Sequence, residues 1–183
     1  MLGIDPGSRV TGWGLVRGTA NRPVLVRGGV IRLPARQPFP QRLNHLRREI
    51  ERIAREAGPC TAAVETLFHG ANARSALQLA HARGVILSVL AGQEIAVSEY
   101  EPATVKNAIA GNGRADKRQV QAMVQRLLGT EIADARPDLF DALAVALCHL
   151  QIHRHRSVVA AALSRDRGQR GKQRTDRGKH SRP

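Results

Sequence analysis

Leu2-Gly3-Ile4-Asp5-Pro6-Gly7 is apolar, then acidic, then turn. Leu2 and Ile4 suit a buried strand, Asp5 sits where that strand emerges, and Pro6-Gly7 turn the chain just after it. A carboxylate at a buried strand end is costly if it is desolvated alone. It calls for a hydrogen-bond partner, a cation or a metal. The rest of the chain can be read for groups that converge on Asp5.

Strands are predicted on both sides of this question. Residues 11–17 and 24–33 read as two further strands, with turn formers from Gly18 to Pro23 between them, so the first three strands form an antiparallel meander. Gly12 and Gly14 alternate with apolar positions and mark close backbone approach. A helix is expected over 41–57, where Leu43, Leu46, Ile50, Ile53 and Ala57 recur at three- and four-residue spacing and Gly58-Pro59 follows. The run 61–67 is a short buried strand parallel to the first, and Glu65 falls near its end as Asp5 does in strand one.

Residues 71–92 carry small side chains and leucines and predict a closely packing helix. A fifth strand is expected over 94–100, then helices at 102–109 and 116–128 around the Gly111-Asn112-Gly113 turn. The last helix should run from Pro137 to about Arg154 with an apolar stripe of Leu139, Ala142, Leu143, Ala146, Leu147 and Leu150. Asp138 and Asp141 are three apart, so they share a face in its first turn.

The chain has 183 residues and a net charge of +14, with 29 Lys and Arg against 15 Asp and Glu. Such an imbalance points to a polyanionic partner, nucleic acid before an anionic membrane. Residues 165–183 hold eight Lys or Arg, two Asp and no apolar residue, which predicts a disordered basic tail of net charge +6. The remaining +8 lies on residues 1–164, so the folded part is basic too. Cys60 and Cys148 are far apart and show no metal-ligand spacing, which reads as free thiols in a reducing compartment. With no signal peptide or long apolar run recognised, a cytoplasmic protein that does not span a membrane is expected.

Ligands in α/β sheets bind outside the carboxyl ends of the parallel strands. A last helix starting at that edge would bring Asp5, Glu65, Asp138 and Asp141 into one cleft. Carboxylates so close cannot all ionise without cations. Their hard oxygens favour Mg²⁺, for which Mn²⁺ can substitute, and two such ions can activate water and stabilise a leaving oxygen in phosphodiester hydrolysis.

These residues carry a family resemblance. Leu2–Ser8 with Thr11-Gly-Trp-Gly14, Val64–Phe68 followed by Asn72–Leu77 and Ala82–Gly84, Pro102–Lys106, Lys117–Gln121 and Asp138–Ala144 together resemble RuvC, the bacterial Holliday junction resolvase family, in order over residues 1–155. The resemblance implies a ribonuclease H-like α/β fold, a mixed five-stranded sheet flanked by helices, over 1–155, with 156–183 as helix end and tail. It implies that Asp5, Glu65, Asp138 and Asp141 are metal-binding catalytic carboxylates, that Lys106 and Lys117 are active-site and DNA-contacting lysines, and that Phe68 lies against bases at the junction centre. It further implies a Mg²⁺-dependent homodimer that nicks two opposite strands of four-way junction DNA symmetrically, in partnership with the RuvA–RuvB branch-migration complex, in recombination and repair. The helix at 71–92 then becomes the candidate dimer seam. Two other readings stand beside it: a ribonuclease H-like nuclease acting on structured or ribosomal precursor RNA, and a non-catalytic junction binder.

Overall fold

The computed structural model describes residues 1–58, 60–66, 73–132 and 136–153. Phe68, His69 and the basic tail lie outside the described residues. The strands are β1 (Leu2–Asp5), β2 (Val10–Thr19), β3 (Arg22–Arg32), β4 (Ala62–Glu65) and β5 (Val97–Tyr100). The helices are α1 (Phe39–Ala57), α2 (Ala73–Gly92), α3 (Pro102–Ala110), α4 (Lys117–Leu128) and α5 (137–153).

The sheet order is β3-β2-β1-β4-β5. β1 is central, antiparallel to β2 and parallel to β4, which pairs in parallel with β5. This is the expected mixed sheet with its N-terminal meander. Two boundaries differ. The first hairpin is tighter than its turn formers suggest, because Gly18 pairs with Pro23 and Thr19 with Arg22, leaving two residues in the turn. Pro23 fits because β3 is the edge strand. The fifth strand starts at Val97, not Glu94. Glu94 adopts a left-handed φ of 56° and its N–H donates to the Ala91 carbonyl at 3.0 Å, so residues 93–95 close the end of α2 instead.

Alternation along the strands splits the core in two. Leu2, Ile4, Trp13, Ile31, Ala62 and Val64 pack against Leu46, Ile50 and Ile53 of α1 and Ala82, Ile86 and Leu90 of α2. Val16, Ala63 and Tyr100 face the other way, onto α3, α4 and α5. α5 is more deeply placed than a one-sided stripe predicts. Every residue from Ala142 to His149 is buried, because the helix packs on the sheet with one side and on α3 and α4 with the other. α2 is 20 residues long and holds an 18-residue window of mean hydropathy 1.2, enough by length and composition alone to cross a bilayer. Ala82, Ile86, Val89 and Leu90 are buried, while Leu77 is exposed.

Glycines let α5 approach. A Cβ on Gly3 would stand 2.2 Å from the Ala142 carbonyl oxygen, and one on Gly12 would stand 1.8 Å from that of Asp138. No side chain fits either gap. Since Gly12 is paired with Asp5 across β1 and β2, the start of α5 is laid down beside Asp5.

Candidate active site

β1 and β4 pair in the register Leu2–Ala62, Gly3–Ala63, Ile4–Val64. One step further along, Asp5 and Glu65 end the two strands side by side and on the face that α5 covers. α5 contributes Asp138 and Asp141 from its first turn. α3 contributes Lys106 and α4 contributes Lys117 at its first residue. Asp116 caps α4 in a reciprocal box with Gln119, which fixes where Lys117 leaves the helix.

These elements enclose a cavity of about 330 Å³ lined by Asp5, Glu65, Lys106, Lys117 and Asp141, with Val105 and Val120 among its apolar walls. Asp138 does not line it but stands within electrostatic reach of Asp5, Asp141 and Lys117. Lys117 Nζ stands 3.4 Å from Asp141 Oδ2. Two larger cavities lie elsewhere, about 620 Å³ between α1 and α2 and about 640 Å³ beside Met1, Thr61 and His149, and neither is lined by a carboxylate. Size therefore does not locate the chemistry here.

The electrostatics register the crowding. Asp5 is raised from 3.8 to about 8, first by burial and then by Glu65, Asp141 and Asp138, with Lys117 opposing. Glu65 is raised from 4.5 to about 7 by burial and then by Asp141, against Lys117 and Lys106. Asp141 is raised mainly by burial, and Lys117 is raised mainly by Asp141. Such a set is poised to take up positive charge.

Among the described residues no three His, Cys, Asp or Glu side chains stand at ready-made metal-binding spacing. The donor chemistry nevertheless fits a hard divalent cation: carboxylate oxygens, half buried, repelling one another, with no sulfur or imidazole in the cavity lining. All six residues expected at the site other than Phe68 are thus drawn to one end of the sheet. The walls Val105 and Val120 were not singled out from sequence, since apolar helix positions look alike whether they line a core or a cleft.

A family model described as "Crossover junction endodeoxyribonuclease RuvC" matches residues 1–149. The chain belongs to the RuvC family. A RuvC crossover junction endodeoxyribonuclease of Syntrophomonas wolfei is 41% identical over 165 residues, 90% of this chain and 96% of that protein. One of Chloroflexus aurantiacus is 46% identical over 148 residues, 81% and 90% of the two chains. Among solved structures, T. thermophilus RuvC in complex with a Holliday junction substrate superposes with a TM-score of 0.80 at 32% identity, covering 84% of this chain and 94% of that one. The yeast mitochondrial Holliday junction resolvase Ydc2 shares the fold at a TM-score of 0.59 and 12% identity. The span matched by the family model carries every site residue named above.

Proposed function

We propose that the chain is a structure-selective endodeoxyribonuclease that resolves Holliday junctions by hydrolysing phosphodiester bonds, nicking two opposite strands symmetrically. RuvC-family membership supports it, as does the relative captured with a junction substrate. The observation that carries it in this chain is the convergence of Asp5, Glu65 and Asp141 with Lys106 and Lys117 around one cavity.

Asp5, Glu65, Asp138 and Asp141 would hold the metal of this metal-dependent family, and their hard oxygens fit Mg²⁺, two per site. When bound, divalent cations activate a water and stabilise the leaving oxygen of an in-line displacement. Burial and mutual repulsion push Asp5 up to about 8 and Glu65 up to about 7 in the metal-free site, so loading a cation there would release protons. Lys106 and Lys117 face the cavity, where they neutralise the scissile phosphate as charge builds on it. Val105 and Val120 are apolar walls of the cavity, and low-polarity surroundings strengthen such charge interactions.

Phe68 follows β4 by a few residues and is assigned to stacking on an unpaired base at the crossover. The junction has approximate two-fold symmetry, which a two-fold dimer matches with two sites. The groove between α1 and α2, lined by Leu77, Ala80, Gly84 and Val85, is the face proposed for that dimer. Residues 1–155 are assigned to the nuclease domain, with the basic stretch 156–183 following it in sequence. A cytoplasmic location accords with the free Cys60 and Cys148, and work alongside RuvA–RuvB follows from the family.

The test is cleavage of a synthetic mobile junction with and without Mg²⁺, mapping both strands. Paired nicks at symmetric positions, dependent on the cation, are expected. Binding without nicking would identify a junction binder, and preferential cleavage of structured RNA would identify an RNA nuclease.

A further inference from the structure

The short connection that follows Asp5 is tied down at every turn. Thr11 is fully buried. Its Oγ1 accepts from the Gly7 N–H and donates to the Gly7 carbonyl, each at 3.2 Å. The next carbonyl, Ser8, accepts from the Arg42 guanidinium of α1. The Arg9 carbonyl accepts from the Leu33 N–H at 2.9 Å, beyond the end of β3. Gly7 itself has no room for a side chain, since a Cβ there would stand 1.8 Å from the Val10 carbonyl oxygen. Arg42 is held in turn over the Phe39 ring, 5.8 Å from its centre.

A surface loop does not need this. Loop carbonyls ordinarily point to water, and exposed connections tolerate change. Here three consecutive residues, Gly7, Ser8 and Arg9, each give their carbonyl to a different partner: a buried hydroxyl, a guanidinium and a strand-end amide. Asp5 is two residues upstream, at the end of a four-residue strand. β2 and β4 flank β1 up to Asp5, which pairs with Gly12, but the pairing of β1 ends there and Pro6 removes the amide that could have anchored the chain just after it.

We infer that Thr11 and Arg42 are positioning residues for Asp5, locking the 6–10 connection so that the Asp5 carboxylate is held at the spacing a cation and a phosphate require. This rests on the proposed role of Asp5. Neither side chain is placed at the reacting atoms: each hydrogen-bonds the backbone of the connection, and neither lines the carboxylate cavity. A hydroxyl that both donates to and accepts from one residue fixes orientation as well as distance, which a methyl of the same shape cannot do. Misplacement of a catalytic group by about 1 Å can lower turnover by about 100-fold.

Thr11→Val keeps the shape and removes both hydrogen bonds. In the full-length protein, kcat at saturating junction is expected to fall about tenfold or more, with the Mg²⁺ half-saturation point rising. Junction affinity measured in Ca²⁺ should stay unchanged. The rise in melting temperature that Mn²⁺ produces without DNA should shrink, a readout independent of turnover. Thr11→Ser, which retains the hydroxyl, should recover most of each loss. Arg42→Leu removes the guanidinium from both the Ser8 carbonyl and the Phe39 ring and should show the same pattern more weakly. Wild-type kcat and cation response in Thr11→Val and Arg42→Leu would overturn the inference. So would equal losses in the Ser and Val variants, or failure of both Thr11→Val and Arg42→Leu to fold, since either marks a purely structural role. Asp5→Asn is run alongside: if it still cleaves, it is the catalytic role of Asp5 that fails.

Discussion

The two faces of the sheet are built from the same strands to opposite ends. Toward α1 and α2, the strands present Leu2, Ile4, Trp13, Ile31 and Val64, all buried against large side chains. Toward α5 they present Gly3, Gly12, Gly14 and Ala63, then Asp5 and Glu65. The first face stores apolar burial. The second gives up side-chain volume so that a helix can come within backbone contact of the sheet and deliver carboxylates there. One strand can serve both purposes because its side chains alternate. The stable face holds the strands in register, and register sets which carboxylates meet.

Breaking the second face at its chemistry should have the largest effect. Asp5→Asn is expected to lower junction cleavage by about a thousandfold or more while leaving junction binding intact, since an amide is a poor ligand for a hard cation. Cleavage and gel-shift measurements on one preparation separate the two. The first face should fail differently. Ile4→Ala removes buried volume next door and is expected to lower unfolding stability by about 2–5 kcal/mol, with turnover per folded molecule retained. Denaturant titration with active-site-normalised rates tests this. Gly12→Ala sharpens the contrast, because its Cβ collides with the Asp138 carbonyl oxygen. It should cost about 1–3 kcal/mol of stability and also reduce turnover, as the start of α5 is pushed from Asp5. Turnover preserved in Gly12→Ala would show that the close approach serves packing alone.

The faces should also differ in pH response. Asp5 is raised from 3.8 to about 8 in the folded chain, so between those values the folded state binds more protons than the unfolded one. Metal-free stability should therefore fall as pH rises from about 4 to about 8. Glu65, raised to about 7, adds to the same trend. Melting curves in chelator should show the fall, Mg²⁺ should offset it at the upper end, and Asp5→Asn should flatten it. Ile4→Ala should shift the whole curve without changing its slope. The smallest effect is expected from deleting residues 165–183, which carry a net +6: weaker junction binding and a shallower dependence on salt. An unchanged salt slope would remove DNA contact from the tail's role.

Much of this site was legible in local pattern. Apolar runs ending in Asp5 and Glu65 announced strand ends with charge. Asp138 and Asp141 announced a shared helix face. Gly12 and Gly14 signalled close approach, and the helix they receive is the one that carries both aspartates. Less was legible where the signal is not periodic. Ile95 and Val97 suggested a strand from Glu94, yet the left-handed φ of Glu94 spends that segment on closing α2. Buried residues around the whole of α5 were read as a stripe, because one-sided and two-sided burial differ only in what packs beyond.

The sequence by itself determined which residues could do chemistry and on which side of each element they sit, since strand alternation, helix spacing and turn formation act within a few residues. Only the tertiary structure decided that they meet. Asp141 raises the pKa of Asp5 across 136 positions of chain because Gly3 and Gly12 admit the backbone of α5, and because β1 and β4 run parallel in a register that aligns their ends. That outcome is set by which long-range packing leaves no gap and no clash, a property of the assembled sheet and helices that no single stretch contains.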